Sequence, residues 1–204
     1  MHLDWVLMRP TCNRDTLHAT WDLARRFGMP IYVNLVHYSL PYFTGMENQE
    51  VQFGPGDRPL VEETTADLLR LQEARPDLFL NSRAGLRSIP DWLMKGPGMR
   101  VPCTAYRLIW VGADGTVQLC YVTFKLGNLH ERRLKDMLFT REHGKAARDA
   151  FLLNCPTCHC GYDSRVQRHG PSRRLYEKET LVPGSESGAR SPDAALSPGP
   201  ASRP

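Results

Sequence analysis

No apolar run in the 204-residue sequence is long enough to cross a bilayer. A spanning helix needs about 20 such residues, and the runs here are of strand length. The first residues, Met-His-Leu-Asp-Trp-Val, lack the basic stretch and long apolar segment of a secretory signal. These two absences give the expectation of a cytoplasmic protein with no membrane partner. Aromatics are scarce, at 9%. None interrupts the basic segment holding Arg165, Arg168, Arg173 and Arg174, so the net charge of +4 reads as a solvated surface. A nucleic-acid face would need stacking platforms between its cations, and no nucleic-acid partner is expected. There is no internal repeat. Cysteine is nearly missing from the first hundred residues, where Cys12 stands alone. In a reducing compartment, cysteines clustered elsewhere point to metal binding or catalysis and not to structural disulfides.

What is present is ordinary globular material, with 41% hydrophobic and 24% charged residues. A chain of this length buries a core without help from a metal, so a metal site here would be functional. Residues 5–10 read as a short buried strand. A helix follows, capped by Asn13 or Thr11, with Leu17, Trp21, Ala24 and Phe27 at near-helical spacing and Gly28 as its stop. Ile31–Val36 is a second strand, which makes a βαβ unit with parallel strands. Residues 38–60 read as a long loop. A helix over 61–75 has Glu62 and Glu63 near its positive end, with Leu68, Leu69 and Leu71 facing inward. Leu78–Leu80 reads as a short strand and Ile89–Met94 as a helical turn entered through Pro90. From about residue 100 the pattern changes. Tyr106–Val111 and Thr116–Val122 are β-rich runs joined by Gly112-Ala113-Asp114-Gly115, a strong hairpin signal. Gly127-Asn128 reads as a turn, 131–139 as a helix with Leu134, Met137 and Leu138 inside, and 141–153 as another helix. Past residue 183 the Pro, Gly, Ser and Ala composition predicts a disordered tail.

Five of the six cysteines lie between 103 and 160. The hairpin folds back on itself, so Cys103 and Cys120 can meet at one end. Cys155 and Cys158 form a Cys-x-x-Cys whose two thiolates can grip one centre from a single turn. Cys103, Cys120, Cys155 and Cys158 are therefore the expected ligands, and four thiolates suit a cuboidal iron–sulfur cluster or tetrahedral zinc. Inert buried thiols are the competing reading. Cys160 is an alternative ligand or a spare thiol. The His159 ring is expected to point away from the sulfurs or to bond near them, and Cys12 to be non-ligating. Asn34, His37 and Tyr38, past the second strand, are candidates for binding substrate or cofactor if that end faces a site. Arg9 and Asn13, past the first strand, carry the same expectation.

The string Cys103…Asp114-Gly115-x-Val117-x-x-Cys120…Leu126-Gly127-Asn128-Leu129…Leu134-x-x-Met137-Leu138…Cys155-x-x-Cys158 resembles the C-terminal SPASM/twitch domain of radical SAM enzymes. The resemblance implies an auxiliary 4Fe-4S cluster, in the shorter single-cluster twitch form, over about 100–165. It implies an α/β fold: residues 1–99 as the last βα units of a partial TIM barrel, then a small α+β domain of β-hairpin plus helices. Residues 166–204 follow as a basic linker and disordered tail. The Cys-x-x-x-Cys-x-x-Cys motif with which such enzymes bind S-adenosyl-L-methionine is not in this sequence. The expectation is thus a fragment, a mis-called start or one part of a split protein, not catalytically competent alone. Only a full-length version would use S-adenosyl-L-methionine and take a small-molecule or peptide substrate. The auxiliary cluster would serve electron transfer, with an electron-transfer partner, or structure. Backbone amides around Gly127-Asn128 and the Cys155–Cys160 turn are the expected donors to sulfur. The alternatives are a standalone electron-transfer module and a structural zinc-binding interaction module.

Overall fold

The structure, a computed structural model, describes residues 1–38, 50–120 and 123–178. It begins with β1 (Leu3–Leu7), α1 (Arg14–Phe27) and β2 (Ile31–Leu35), the two strands running parallel with Leu3 opposite Ile31 and Leu7 opposite Leu35. β1 starts and ends earlier than the apolar run implied. Pro10 fixes its φ and has no N–H, so Arg9–Thr11 becomes a 3-10 turn. Asn13 caps α1 by accepting from the Thr16 N–H at 2.8 Å, and Gly28 closes it in the left-handed region, at φ 61°. Leu17, Trp21 and Ala24 are buried. Phe27 is exposed instead, with the Arg26 guanidinium over its ring.

The loop expected over 38–60 falls partly outside the described residues, and α2 (Arg58–Ala74) begins earlier than its leucines indicated. Pro59 sits in its first turn, where a missing N–H costs nothing. Leu68 is fully buried, while Leu69 and Leu71 are partly buried against the core. The strand expected at Leu78–Leu80 shrinks to a 3-10 turn (Pro76–Leu78) and one parallel bridge between Phe79 and Ile31. The Asn81 side chain takes over from there. Its Oδ1 accepts from the Val33 N–H at 2.7 Å and its Nδ2 donates to the Val33 carbonyl at 3.1 Å, as a third strand would have done. The described residues therefore form no closed barrel.

Two short helices follow, α3 (Arg83–Arg87) and α4 (Ile89–Lys95). The hairpin is β3 (Trp110–Val111) against β4 (Thr116–Gln118), with Val111 opposite Val117. Its strands are shorter than the apolar runs. Ala105–Arg107 is a 3-10 turn, and Tyr121 and Val122 lie outside the described residues. Gly127-Asn128 is not a turn but the end of a third antiparallel strand, β5 (Lys125–Asn128), pairing with Val117 and Thr116. The helix expected over 131–139 is one turn, α5 (Leu134–Met137), with Met137 buried and Leu134 exposed. Arg133 and Asp136 pair across that turn in solvent, so only one apolar side chain faces inward. α6 (Arg141–Leu152) lies where its sequence placed it, capped by Thr140.

The segment read as the start of a basic linker is helical: α7 (Tyr162–Arg168) and α8 (Gly170–Glu177). Tyr162 and Val166 are buried in the same core as Trp5, Leu7, Leu17, Ile31, Leu68 and Trp92. Arg165 is buried with them, which corrects its reading as solvated surface. The tail beyond residue 178 lies outside the described residues.

α7 reaches this core by crossing α3 at Gly85. The Asp163 carboxylate accepts there from the Ser82 N–H at 3.0 Å and hydroxyl at 2.6 Å, while Ser82 Oγ caps α3 at the Gly85 N–H. A Cβ at Gly85 would land on that carboxylate. Gly85→Ala is expected to lower stability by about 1–3 kcal/mol, the range of an overpacked core. This outweighs the roughly 1 kcal/mol that alanine gains in a helix. A urea midpoint that stays put or rises would show that the crossing has slack.

Candidate metal centre

At the carboxyl end of β2, residues 33–38 run against residues 157–162. His159 bridges two carbonyls, Val36 at 2.7 Å from Nδ1 and Trp92 at 2.9 Å from Nε2. Its ring meets Tyr38 and Trp92 edge-on, at 4.6 and 5.9 Å between centroids. Burial holds its pKa down to about 4, although both carbonyls favour the protonated ring. His159 is therefore a neutral pin that fastens the cysteine turn to the sheet, and its ring points away from the sulfurs as expected. The Tyr38 hydroxyl and Thr157 Oγ1 are 2.9 Å apart, and the Tyr162 hydroxyl donates to the Val33 carbonyl at 3.0 Å.

Thr157, inside Cys155-Pro156-Thr157-Cys158, has φ 61°. A β-branched residue in the left-handed region is an outlier that costs on the order of 1–3 kcal/mol and is kept only where its surroundings enforce it. Here the strain turns the chain so that sulfurs and amides face one another. Thr157 N–H donates to the Cys155 sulfur and Cys160 N–H to the Cys158 sulfur. Ala105 N–H donates to Cys103 Sγ at 3.3 Å. Three cysteines thus share one local geometry, each sulfur taking the N–H two residues downstream. Such donors favour the thiolate and, in a metal site, orient the ligand. Of the amides expected to face sulfur, those of the Cys155–Cys160 turn do so. Gly127 and Asn128 serve the β4–β5 pairing instead.

The cysteines from the two distant segments influence one another. Burial raises the Cys155 thiol, the Thr157 N–H opposes this, and the charges of Cys158 and Cys103 raise it further. The Cys160 thiol is pushed far up, first by its hydrogen bond to Cys158, then by burial, then by the charges of Cys158, Cys120 and Cys103. Cys158 goes the other way: the Cys160 hydrogen bond holds it down to about 6 against burial, helped by the Cys160 N–H and the Arg165 charge. Cys103, Cys120, Cys155, Cys158 and Cys160 therefore lie within electrostatic reach of one another. Cys12 does not belong to this group. It is buried in the main core with its thiol 3.4 Å from Thr64 Oγ1.

His37 joins the cysteines in a way the sequence did not disclose. Its Nε2 is 3.6 Å from Cys160 Sγ, and the donor atoms of His37, Cys158 and Cys160 lie within 4.8 Å of one another. Burial lowers its pKa, which leaves the ring neutral and fit to bind a metal. Asn34 instead bonds Asp4 across the strands at 2.7 Å. Both His37 and Asn34 line a cavity of about 450 Å³ floored by Val6, Met8, Leu35, Val36 and Val51. Arg9 pairs with Asp57 at 3.4 Å, and Asn13 is occupied by its cap.

Arg165 was missed as a site residue. Its Nη1 donates to the Cys158 carbonyl at 2.8 Å and its Nη2 to the Val101 carbonyl, two residues before Cys103. The guanidinium lies 4.6 Å from the Trp92 ring centroid. The residues present fit a thiolate-bound centre: soft sulfur donors, amides aimed at them, a neutral imidazole and a buried cation beside them.

No family model and no curated protein matches the chain. A solved structure of a polyhistidine-tagged radical SAM enzyme, described as "anSMEcpe with bound AdoMet", superposes with a TM-score of 0.48 at 16% identity. The match covers 74% of this chain and 40% of the other, so the chain spans less than half of that neighbour's length. Among the described residues no helix is long and apolar enough to cross a membrane.

Proposed function

We propose that the chain binds an iron–sulfur cluster of the 4Fe-4S type through Cys103, Cys120, Cys155 and Cys158, as the C-terminal half of a radical SAM/SPASM-type protein. The observation that carries this is the repeated local geometry: three of these four sulfurs each take the N–H of the residue two positions on. Residues 1–99 would serve as the barrel portion and 100–165 as the cluster-binding domain. A cluster held by four cysteines has no open iron, so its service is electron transfer or structure, with a redox partner for the first. S-adenosyl-L-methionine and a small-molecule or peptide substrate belong to a version that carries the Cys-x-x-x-Cys-x-x-Cys motif.

One observation favours a second reading. His37, Cys158 and Cys160 are the residues whose donor atoms already lie closest together, and a His/Cys set suits structural zinc. Anaerobic purification followed by iron, acid-labile sulfide and zinc analysis tests both. The expected result is about four irons and four sulfides per chain with brown absorbance. A colourless protein holding one zinc would overturn the cluster and leave the second reading standing.

A further inference from the structure

Among the described residues, Arg165 is the only arginine or lysine that is buried, at 1% exposure. No carboxylate among those residues pairs with it. The nearest acid in sequence, Asp163, is taken by Ser82 and Gln167. Carbonyls of Val101 and Cys158 occupy its two terminal nitrogens, and its buried Nε–H has no partner. Arg165 and Cys103 share the wall of one small cavity. A buried charge is expensive unless something opposite in sign lies beside it. The anions this fold can bring there are the cysteine thiolates.

We propose that Arg165 is a positioning residue that supplies the counter-charge of the metal centre, clamping the Cys103 and Cys155–Cys160 segments together and setting the reduction potential. The proposal rests on the iron–sulfur reading above. Its physics is simple. Reduction adds one negative charge to a site that is already anionic, and a fixed cation a few ångströms away stabilises the reduced form more than the oxidised one. The clamp and the charge are separable. Lysine keeps the charge but cannot span both carbonyls as a planar fork does, and methionine keeps the apolar stem alone.

The test is a redox titration, followed by electron paramagnetic resonance, of anaerobically reconstituted full chain, Arg165→Met and Arg165→Lys. In Arg165→Met the midpoint is expected to fall so that the reduction equilibrium weakens at least tenfold, which is about 59 mV for one electron. Arg165→Lys is expected to stay close to the parent. A parent-like midpoint in Arg165→Met overturns the proposal, and so does an equal fall in Arg165→Lys. If Arg165→Met holds no cluster, Arg165→Lys decides. A parent-like midpoint there supports the charge role, whereas a lowered midpoint or no cluster leaves only the clamp and overturns it. Failure of the iron–sulfur reading shows elsewhere, as a parent protein without iron or without a redox couple.

Discussion

Cys158→Ser is expected to empty the centre, with bound metal falling more than about tenfold, beyond the 10- to 100-fold range for losing a mere supporting hydrogen bond. Cys158 stands where the two metal readings overlap. It is one of four thiolates in the first and one of three donors in the second, and its thiol is the most acidic of the group, at about 6. Serine keeps the size but offers a hard oxygen that stays protonated near neutrality, so it replaces neither ligand. Binding energy of a structural metal is also folding energy, so the melting temperature should drop together with the metal content. Other substitutions then separate the readings. Loss of metal in Cys155→Ser with retention in His37→Ala fits four thiolates. Retention in Cys155→Ser with loss in His37→Ala fits the histidine set. Cys12→Ser is the control, since that thiol is spent on Thr64 inside the core. A Cys158→Ser protein that keeps its metal would remove both readings at once.

What the sequence disclosed of this site followed from short-range rules. Asp114 and Gly115 were legible as a hairpin turn because a carboxylate that bonds Thr116 N–H and a glycine at φ 78° act within four residues. Asn13, Gly28 and the Leu17–Trp21–Ala24 stripe marked α1 for the same reason. The partners of the cysteines were hidden because they lie far along the chain: His37 meets Cys160 across a separation of 123 residues. Arg165 was hidden by composition, which grouped it with Arg168, Arg173 and Arg174. Periodicity held the missing signal. Tyr162, Arg165 and Val166 fall on one helical face, and two of them are apolar, so the third was destined for the interior. The third neighbour of β2 was hidden more deeply, because a side chain there imitates backbone. No propensity scale distinguishes an asparagine that caps a turn from one that completes a sheet.

That imitation has a large expected consequence. Asn81→Ala should destabilise the protein by roughly 3 kcal/mol, from three lost hydrogen bonds at about 1 kcal/mol each, with more where a buried group is left unpaired. The Asn81 side chain serves the Val33 N–H, the Val33 carbonyl and the Tyr162 hydroxyl at 2.7, 3.1 and 2.9 Å. All of these groups are buried. In the variant the Val33 carbonyl keeps the Tyr162 hydroxyl, but the buried Val33 N–H loses its acceptor. At about 2–4 °C per kcal/mol for a chain of this size, the melting temperature should fall by roughly 6–12 °C. The effect should also reach the centre. Tyr162 opens α7, which carries Arg165, and sits two residues after Cys160, so loosening it frees the turn that holds Cys155, Cys158 and Cys160. Asn81→Asp sharpens the argument. Its carboxylate can still accept from Val33 N–H, but it confronts the Val33 carbonyl with another acceptor and buries a charge, and it should be worse than alanine. A thermal melt in which Asn81→Asp is the more stable of the two would mean that water reaches Val33, and that β2 has no need of its substitute neighbour.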